Sequence, residues 1–212
     1  MTYTVKEIFY TLQGEGAHTG RPAVFCRFSG CNLWTGREPD RATAICDFCD
    51  TDFVGVGPDG GRFPTPQALA DAVAAAWPEG RDGDGQPYVV CTGGEPLLQL
   101  DEPAIQALHE RGFQVAVESN GTRPAPRTLD WICISPKAGA PLVQTSGDEL
   151  KLVFPQKDAP PERFAALDFT HFFLQPMDGP AIAANTRAAV AYCLAHPRWR
   201  LSMQTHKLLG LR

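Results

Sequence analysis

Three cysteines in the first quarter of the chain are spaced for binding a metal. Two residues separate Cys46 from Cys49, and fourteen separate Cys31 from Cys46. Thiolates are soft ligands that suit zinc or clusters of iron and sulfide. Four thiolates would complete the coordination of a four-iron cluster, whereas three leave one iron open to a small molecule. The spacing therefore predicts either such an open cluster or a zinc site with a further ligand, for which His18 and Asp50 are candidates.

Polar and glycine-rich segments follow several of the predicted strands. They are residues 92–96, 118–121, 135–137 and 175–178. In βα folds the reactive groups lie where strands end and loops begin. We therefore expect these segments to meet at one edge of a sheet and to contact one elongated ligand.

The elements that must position these groups are read from the hydrophobic pattern. Short runs rich in Val, Ile and Phe alternate with helical patterns, which is typical of βα units in a mainly parallel sheet. Strands are predicted at 23–28, 88–91, 114–118, 131–135, 150–154, 171–175 and 200–204. A complete eight-stranded barrel usually needs about 250 residues. With fewer strands and 212 residues, the predicted fold class is α/β, an open, partial (β/α) barrel.

Helices are predicted between these strands. Thr65 and Pro66 form the cap and first turn of one helix, and a second begins at Asp101 and ends at Gly112. A third is predicted at about 185–195. Glycine-rich segments at 55–61 and 80–85 predict loops rather than linkers between domains.

Composition favours an ordinary globular protein. The 212 residues are predicted to form a single domain, and 43% are hydrophobic and 20% charged. No apolar run approaches the roughly 20 residues of a membrane span. The start does not resemble a secretory signal, so a cytoplasmic location is expected, where thiols stay reduced. The net charge of −5 does not favour nucleic acid. The other four cysteines are expected to pack in the core: Cys26, Cys91, Cys133 and Cys193.

Five segments of the chain carry a family resemblance. They read FYTLQGEG at 9–16, CNLW at 31–34, CDFCDT at 46–51, CTGGEPLLQ at 91–99 and MQTHKLLG at 203–210. Together they resemble the 7-carboxy-7-deazaguanine synthase family of the radical S-adenosylmethionine superfamily. The superfamily's usual cluster loop has three residues between its first two cysteines, where this chain has fourteen. The inserted residues 35–45 are expected to form a short helix that lets the three sulfurs of the cluster loop, 31–49, converge.

The resemblance implies the cofactors. Cys31, Cys46 and Cys49 would hold a [4Fe-4S] cluster whose open iron binds S-adenosylmethionine, and one electron would then cleave the sulfonium to a carbon radical. The fold implied is the truncated barrel of this superfamily. The implied contacts to S-adenosylmethionine are Phe48, Cys49, Asp50, Gly94, Glu95, Ser119, Asn120, Ser135, Pro136, Lys137, Gln175, Pro176, Met177 and Asp178.

The resemblance also implies the substrate, 6-carboxy-5,6,7,8-tetrahydropterin. It would lose ammonia and contract its ring to 7-carboxy-7-deazaguanine, the precursor of queuosine-type nucleosides. The implied contacts are Leu12, Gln13, Gly14, Glu15, Arg27, Thr92, His206 and Arg212. Thr51 would hold a Mg²⁺ ion that touches the substrate, consistent with the preference of Mg²⁺ for few protein ligands. A guanidinium such as that of Arg27 suits a carboxylate.

The same resemblance implies a homodimer and an electron donor of the reductase or flavodoxin type. Charge and composition predict no direct contact with nucleic acid and none with a membrane. Two other functions stay open. An activase that installs a glycyl radical would need further ferredoxin-like cysteine pairs, which the sequence lacks. A zinc-stapled binding module would have no enzymatic activity.

Overall fold

The structure is a computed structural model that describes residues 2–78 and 85–212. Its strands are β1 (Tyr3–Leu12), β2 (Pro22–Phe28), β3 (Gly61–Phe63), β4 (Tyr88–Gly93), β5 (Gln114–Ser119), β6 (Trp131–Ile134), β7 (Ser146–Phe154), β8 (Asp168–Pro176) and β9 (Trp199–Leu201). Its α-helices are α1 (Pro66–Ala76), α2 (Glu102–Glu110), α3 (Ile182–Ala195) and α4 (Thr205–Leu209). Short 3₁₀ helices lie at Gly16–His18, Glu38–Thr43, Pro96–Leu98 and Pro161–Arg163.

The described strands form one sheet in the order β3-β1-β2-β4-β5-β6-β7-β8-β9. β1 pairs antiparallel with β2 and with β3. From β2 onward each neighbouring pair is parallel. The sheet is mainly parallel and does not close, since β3 and β9 lie at its two edges. The prediction of an open, partial barrel of α/β class is therefore confirmed.

Several boundaries differ from the predicted ones. The sequence pattern missed β1, β3 and α4, and it placed residues 202–204 in a strand that ends at Leu201. Gly61, predicted to lie in a loop, begins β3 and pairs with Val5 of β1. β3 is a short edge strand whose partner residues in β1 lie more than fifty residues earlier in the chain, and a local pattern does not contain such a partner. Residues 80–84 of the second predicted loop lie outside the described residues.

The helix caps follow the sequence closely. The Thr65 side chain accepts a hydrogen bond from the Ala68 amide at 3.1 Å, and Asp101 accepts one from Ala104 at 3.1 Å. These bonds satisfy amides that the first helical turn leaves unpaired. Gly112 has a φ of +81°, which glycine adopts without strain, and it lies just after α2. None of the described helices has both the length and the apolar character needed to cross a membrane.

Alternating strand residues face two different environments. Val89 and Cys91 of β4 pack with α1 and α2 in one core cluster, whereas Tyr88 and Val90 pack with Ala116 on the other face. A second helix-covered cluster joins α3 to β7, β8 and β9. Because neighbouring side chains of a strand point to opposite faces, the residues between the helix-facing ones are directed to the uncovered face.

Candidate active site

A cleft of about 430 Å³ lies on the uncovered face of the sheet. This volume is typical of a small-molecule site. Its wall includes the strand residues Phe25, Arg27, Thr92, Lys151 and Val153. The loops after these strands complete the wall, so the cleft lies at the carboxyl ends of the parallel strands, where the sequence placed it.

The three cysteines of the cluster loop all line this cleft. The inserted segment between them folds back on itself, because the Ile45 amide donates to the Leu33 carbonyl at 3.1 Å. The segment between Cys31 and Cys46 therefore begins and ends at neighbouring points, which brings Cys46 toward Cys31. The expected short helix is present as a 3₁₀ helix at Glu38–Thr43.

Arg41 fixes this insertion to the cysteines. Its guanidinium donates to the carbonyls of Asp47 at 2.8 Å and of Cys49 at 3.0 Å, and it forms an ion pair with Glu38 at 2.6 Å. It also lies over the ring of Trp34, 4.0 Å from the ring centre. These contacts hold the loop in one shape while the sulfurs stay in the cleft.

The cysteine sulfurs have a donor chemistry that fits an iron–sulfur cluster. A hydrogen bond from the Cys46 thiol, which outweighs the opposing effect of burial, lowers the pKa of Cys49 to about 6, and the same bond together with burial raises the pKa of Cys46. Burial raises the pKa of Cys31. Within residues 2–78 and 85–212, no three His, Cys, Asp or Glu side chains are grouped as ligands of a single metal ion. A four-iron cluster makes a different demand, because each cysteine binds a different iron.

Most residues predicted to contact S-adenosylmethionine line the cleft. They are Phe48, Cys49, Asp50, Gly94, Ser119, Asn120, Ser135, Lys137, Gln175, Pro176, Met177 and Asp178. Gly94 packs against the Gly30 backbone just before the first cysteine of the loop, and a Cβ at this position would overlap the Gly30 carbonyl oxygen. Lys137 donates to the carbonyl and the hydroxyl of Ser135 at 2.7 and 2.6 Å.

Glu95 and Pro136 do not belong to the cleft wall. Glu95 has no exposed surface, and burial raises its pKa. Its carboxylate accepts hydrogen bonds from the Ser119 hydroxyl at 2.9 Å, the Asn120 amide at 2.8 Å and the Leu97 amide at 2.9 Å. Glu95 therefore fixes the positions of Ser119 and Asn120 at the end of β5 without lining the cleft itself.

All residues predicted to contact the substrate line the same cleft: Leu12, Gln13, Gly14, Glu15, Arg27, Thr92, His206 and Arg212. Arg27 forms an ion pair with Glu7 at 2.8 Å. Glu7 also forms an ion pair with Arg212 at 2.9 Å, so this carboxylate contacts two guanidinium groups. Thr51, the predicted Mg²⁺ ligand, lines the cleft too, and its hydroxyl lies 3.4 Å from an Asp50 carboxylate oxygen.

The sequence reasoning missed Lys151, one of the lysines of the wall that pair with carboxylates. Lys151 of β7 is 4% exposed and forms ion pairs with Glu15 at 2.7 Å and Glu118 at 3.2 Å. Lys207 of α4 bridges Asp50 and Asp178, at 2.6 Å from each. A usable signal for Lys151 was its charge inside a strand otherwise flanked by leucines. Such a charge inside an apolar strand is rare without a partner.

The remaining cysteines and His18 lie elsewhere. Cys26, Cys91 and Cys133 are buried, as predicted, whereas Cys193 is only half-buried and packs against the second helix-covered cluster. His18, considered as a ligand in a zinc site, packs its ring between Trp131 at 4.2 Å and Tyr88 at 5.2 Å. It does not line the cleft with the three cysteines.

Comparisons with known proteins cover the whole chain. No family model matches it. A 7-carboxy-7-deazaguanine synthase from Caulobacter vibrioides is 70% identical over 212 residues, which are 100% of both chains. A synthase of the same name from Bordetella pertussis is 66% identical over 212 residues, again 100% of both chains. The crystal structure of QueE from Escherichia coli aligns with a TM-score of 0.68 at 26% identity, covering 96% of this chain and 94% of that chain. The likeness therefore extends from the sequence to the fold.

Proposed function

The chain belongs to the 7-carboxy-7-deazaguanine synthase family, and from this premise we propose how its cleft converts 6-carboxy-5,6,7,8-tetrahydropterin to 7-carboxy-7-deazaguanine with loss of ammonia. Membership of a radical S-adenosylmethionine family favours this lyase over the glycyl-radical activase and the zinc-stapled module. The observation that carries the proposal is that three cysteines, the polar strand ends and the predicted substrate residues line one cleft.

Cys31, Cys46 and Cys49 hold the [4Fe-4S] cluster in this proposal. Three thiolate donors on one cleft wall fit such a cluster. When bound, the cluster supplies the electron that cleaves S-adenosylmethionine. Arg41 and the closed insertion keep the sulfurs at the cleft wall, so that cofactor and substrate share one cavity.

The polar strand ends orient S-adenosylmethionine. Gly94 lines the cleft, where its missing side chain leaves room for the Gly30 backbone next to Cys31, and Ser119 and Asn120 present polar groups whose positions are set by Glu95. We therefore assign Glu95 to the positioning of these residues rather than to direct contact with S-adenosylmethionine. Pro136, which does not line the cleft either, is likewise not assigned a direct contact. The remaining contacts are Phe48, Cys49, Asp50, Ser135, Lys137, Gln175, Pro176, Met177 and Asp178.

The other wall of the cleft orients the pterin. The Arg27 guanidinium binds the substrate carboxylate, and Thr51 provides one oxygen to a Mg²⁺ ion beside it. Leu12, Gln13, Gly14, Glu15, Thr92, His206 and Arg212 complete the wall. A carbon radical abstracts most nearby hydrogens, so the wall must fix the target atom and exclude water. If turnover is unchanged after all divalent metal is chelated, the Mg²⁺ role is wrong.

One anaerobic assay tests the function. Cluster-reconstituted protein is incubated with dithionite, S-adenosylmethionine and the carboxytetrahydropterin, and the deazapurine is sought by mass. We expect product from the native protein and none from Cys46→Ala. Cys193→Ala, which alters a half-buried cysteine of α3, is the matched control and should keep activity. Release of 5′-deoxyadenosine without the deazapurine would contradict the proposed substrate.

We further propose a cytoplasmic homodimer that receives electrons from a reductase or a flavodoxin-type donor. The family resemblance supports the dimer and the donor. The seven cysteines are free, as expected where thiols stay reduced. Sedimentation of the purified protein tests the dimer, and a monomer at micromolar concentration would contradict it.

A further inference from the structure

A buried lysine lies at the centre of the polar floor of the cleft. Lys151 is 4% exposed, and its ammonium contacts Glu15 at 2.7 Å and Glu118 at 3.2 Å. The lysine is on β7 and Glu118 is on β5, while Glu15 follows the end of β1. One cation therefore brings together carboxylates from two other parts of the chain.

Each carboxylate holds a further cleft residue in turn. The Gln13 side-chain amide donates to Glu118 at 2.9 Å, and the Gln204 amide donates to Glu15 at 3.1 Å. All of these residues line the cleft. The position of Lys151 thus sets the positions of two carboxylates directly and of two amides through them.

The charges of this group are compatible with one another. Burial alone would lower the pKa of Lys151, but the attraction of Glu118 and Glu15 outweighs it and keeps this pKa well above its usual range. Burial opposes ionisation of Glu15 as well, and the attraction of Lys151 outweighs it, so the pKa of Glu15 is lowered. One cation faces two carboxylates, which leaves an excess of hydrogen-bond acceptors.

These acceptors remain open to a ligand. The Glu15 and Glu118 side chains are 14% and 22% exposed, whereas that of Lys151 is 5% exposed. A bound molecule therefore meets carboxylate oxygens rather than the ammonium. The chemistry that suits them is a ring edge with several N–H donors, such as an aminopyrimidinone.

We propose that Lys151 is a positioning residue for the substrate ring, holding Glu15 and Glu118 so that their oxygens accept N–H groups of the aminopyrimidinone edge. This inference rests on the proposed function, which supplies a pterin as the ligand. Lys151 does not touch the ring and acts through its two partners. Its loss leaves two like charges facing each other without a cation, and they would separate or take up a proton.

The test compares Lys151→Met with the native protein, both loaded with cluster and S-adenosylmethionine. Binding of 6-carboxypterin, the oxidised analogue of the substrate, is followed by fluorescence, and KM and kcat for the substrate are measured in parallel. We expect Kd and KM to rise about tenfold, as for loss of a charged hydrogen-bond network, with a smaller change in kcat. Affinity for S-adenosylmethionine should stay unchanged. Lys157→Met, at an exposed lysine, is the matched control.

Three further variants keep the proposal falsifiable if Lys151→Met does not fold. Lys151→Arg retains the charge and should restore most of the affinity. Glu15→Gln and Glu118→Gln retain a hydrogen-bonding partner for the lysine and should each weaken pterin binding. If both bind as tightly as the native protein, Lys151 has nothing to act through and the proposal is overturned. A folded Lys151→Met protein with unchanged Kd and KM overturns it as well.

The native protein separates this inference from the function on which it rests. If the native protein binds no pterin, the proposed function is contradicted. If it binds pterin and forms the deazapurine while Lys151→Met does the same with equal KM, only the role of Lys151 is wrong.

Discussion

Single buried carboxylates organise the polar groups around the cleft. Glu95 lies behind the wall and accepts three hydrogen bonds from the backbone and side chains of neighbouring segments. A buried acceptor of this kind is costly to replace, because donors that lose it stay desolvated and unpaired. Its effect on the active site is therefore exerted through the shape of the β5 strand end.

Glu95→Gln tests this role through stability. The glutamine amide presents N–H groups where the carboxylate accepted hydrogen bonds, so we expect the free energy of unfolding to fall by about 1–3 kcal/mol. Urea denaturation of the purified protein measures this. Glu102→Gln, at an exposed glutamate of α2, should change it by less than about 0.5 kcal/mol. If both variants lose the same free energy of unfolding, the hydrogen bonds of the buried Glu95 do not contribute to stability as proposed.

His18 makes the stability depend on pH. Burial lowers the pKa of His18 below its usual 6.5, and its Nε2 is buried without a hydrogen-bond partner. His18 therefore binds a proton more readily in the unfolded chain than in the folded one, and its contribution to stability falls as the pH drops below about 6.5. We expect His18→Phe to show a smaller loss of melting temperature between pH 7 and pH 5. Parallel melting curves for the two proteins would contradict this assignment.

Helix caps determine where two of the helices that cover the sheet begin. Thr65 caps α1 with one hydrogen bond. Asp101 caps α2 and also accepts a hydrogen bond from the Tyr3 hydroxyl at 2.7 Å, which links the helix to β1 within one core cluster. Asp101 therefore both caps α2 and joins this helix to β1.

The two caps should differ in their contribution to stability. Thr65→Ala is expected to cost about 1 kcal/mol, the usual value for a lost cap. Asp101→Ala should cost about 2 kcal/mol, because the Tyr3 hydroxyl loses its partner as well. Asp101→Asn keeps an acceptor oxygen and serves as the control, with a smaller loss. Denaturant titration measures all three variants, and an equal cost for both alanine substitutions would contradict the dual role of Asp101.

Over the whole molecule, the C-terminal segment 204–212 joins distant parts of the cleft. Lys207 bridges the cluster loop at Asp50 to the end of β8 at Asp178. Arg212 contacts Glu7 and Asp59, at the other side of the cleft. These ion pairs are partly exposed, and such pairs contribute little to stability individually. We therefore expect these ion pairs to hold the C-terminal segment in the cleft wall rather than to stabilise the fold.

Deletion of residues 205–212 separates these two effects. The leucines at 208, 209 and 211 are 72%, 64% and 41% exposed, so removal of the segment loses little buried apolar surface. We expect the melting temperature to change by only a few degrees and the Kd for 6-carboxypterin to rise about tenfold or more. Calorimetry and fluorescence titration measure the two quantities. Unchanged pterin affinity would show that the segment is not part of the site.

The sequence alone determined the local features of this protein, because short-range chemistry specifies them. Thr65 with Pro66 located the start of α1, and alternating apolar runs located seven strands of a mainly parallel sheet. The site residues predicted from the cysteine spacing and the family resemblance line the cleft, except Glu95 and Pro136, whereas Lys151 of the cleft wall was not predicted.

Only the tertiary structure decided which polar residues face one another. The Glu95 carboxylate lies outside the cleft because it accepts a hydrogen bond from the Asn120 amide. Asn120 is 25 residues further along the chain, at the end of the neighbouring strand. The charge of the buried Lys151 is stabilised by Glu118, which lies 33 residues earlier in the chain. The order of the strands in the sheet brings the two side chains into contact. The energy of a buried charge depends on such partners, and no local pattern contains them.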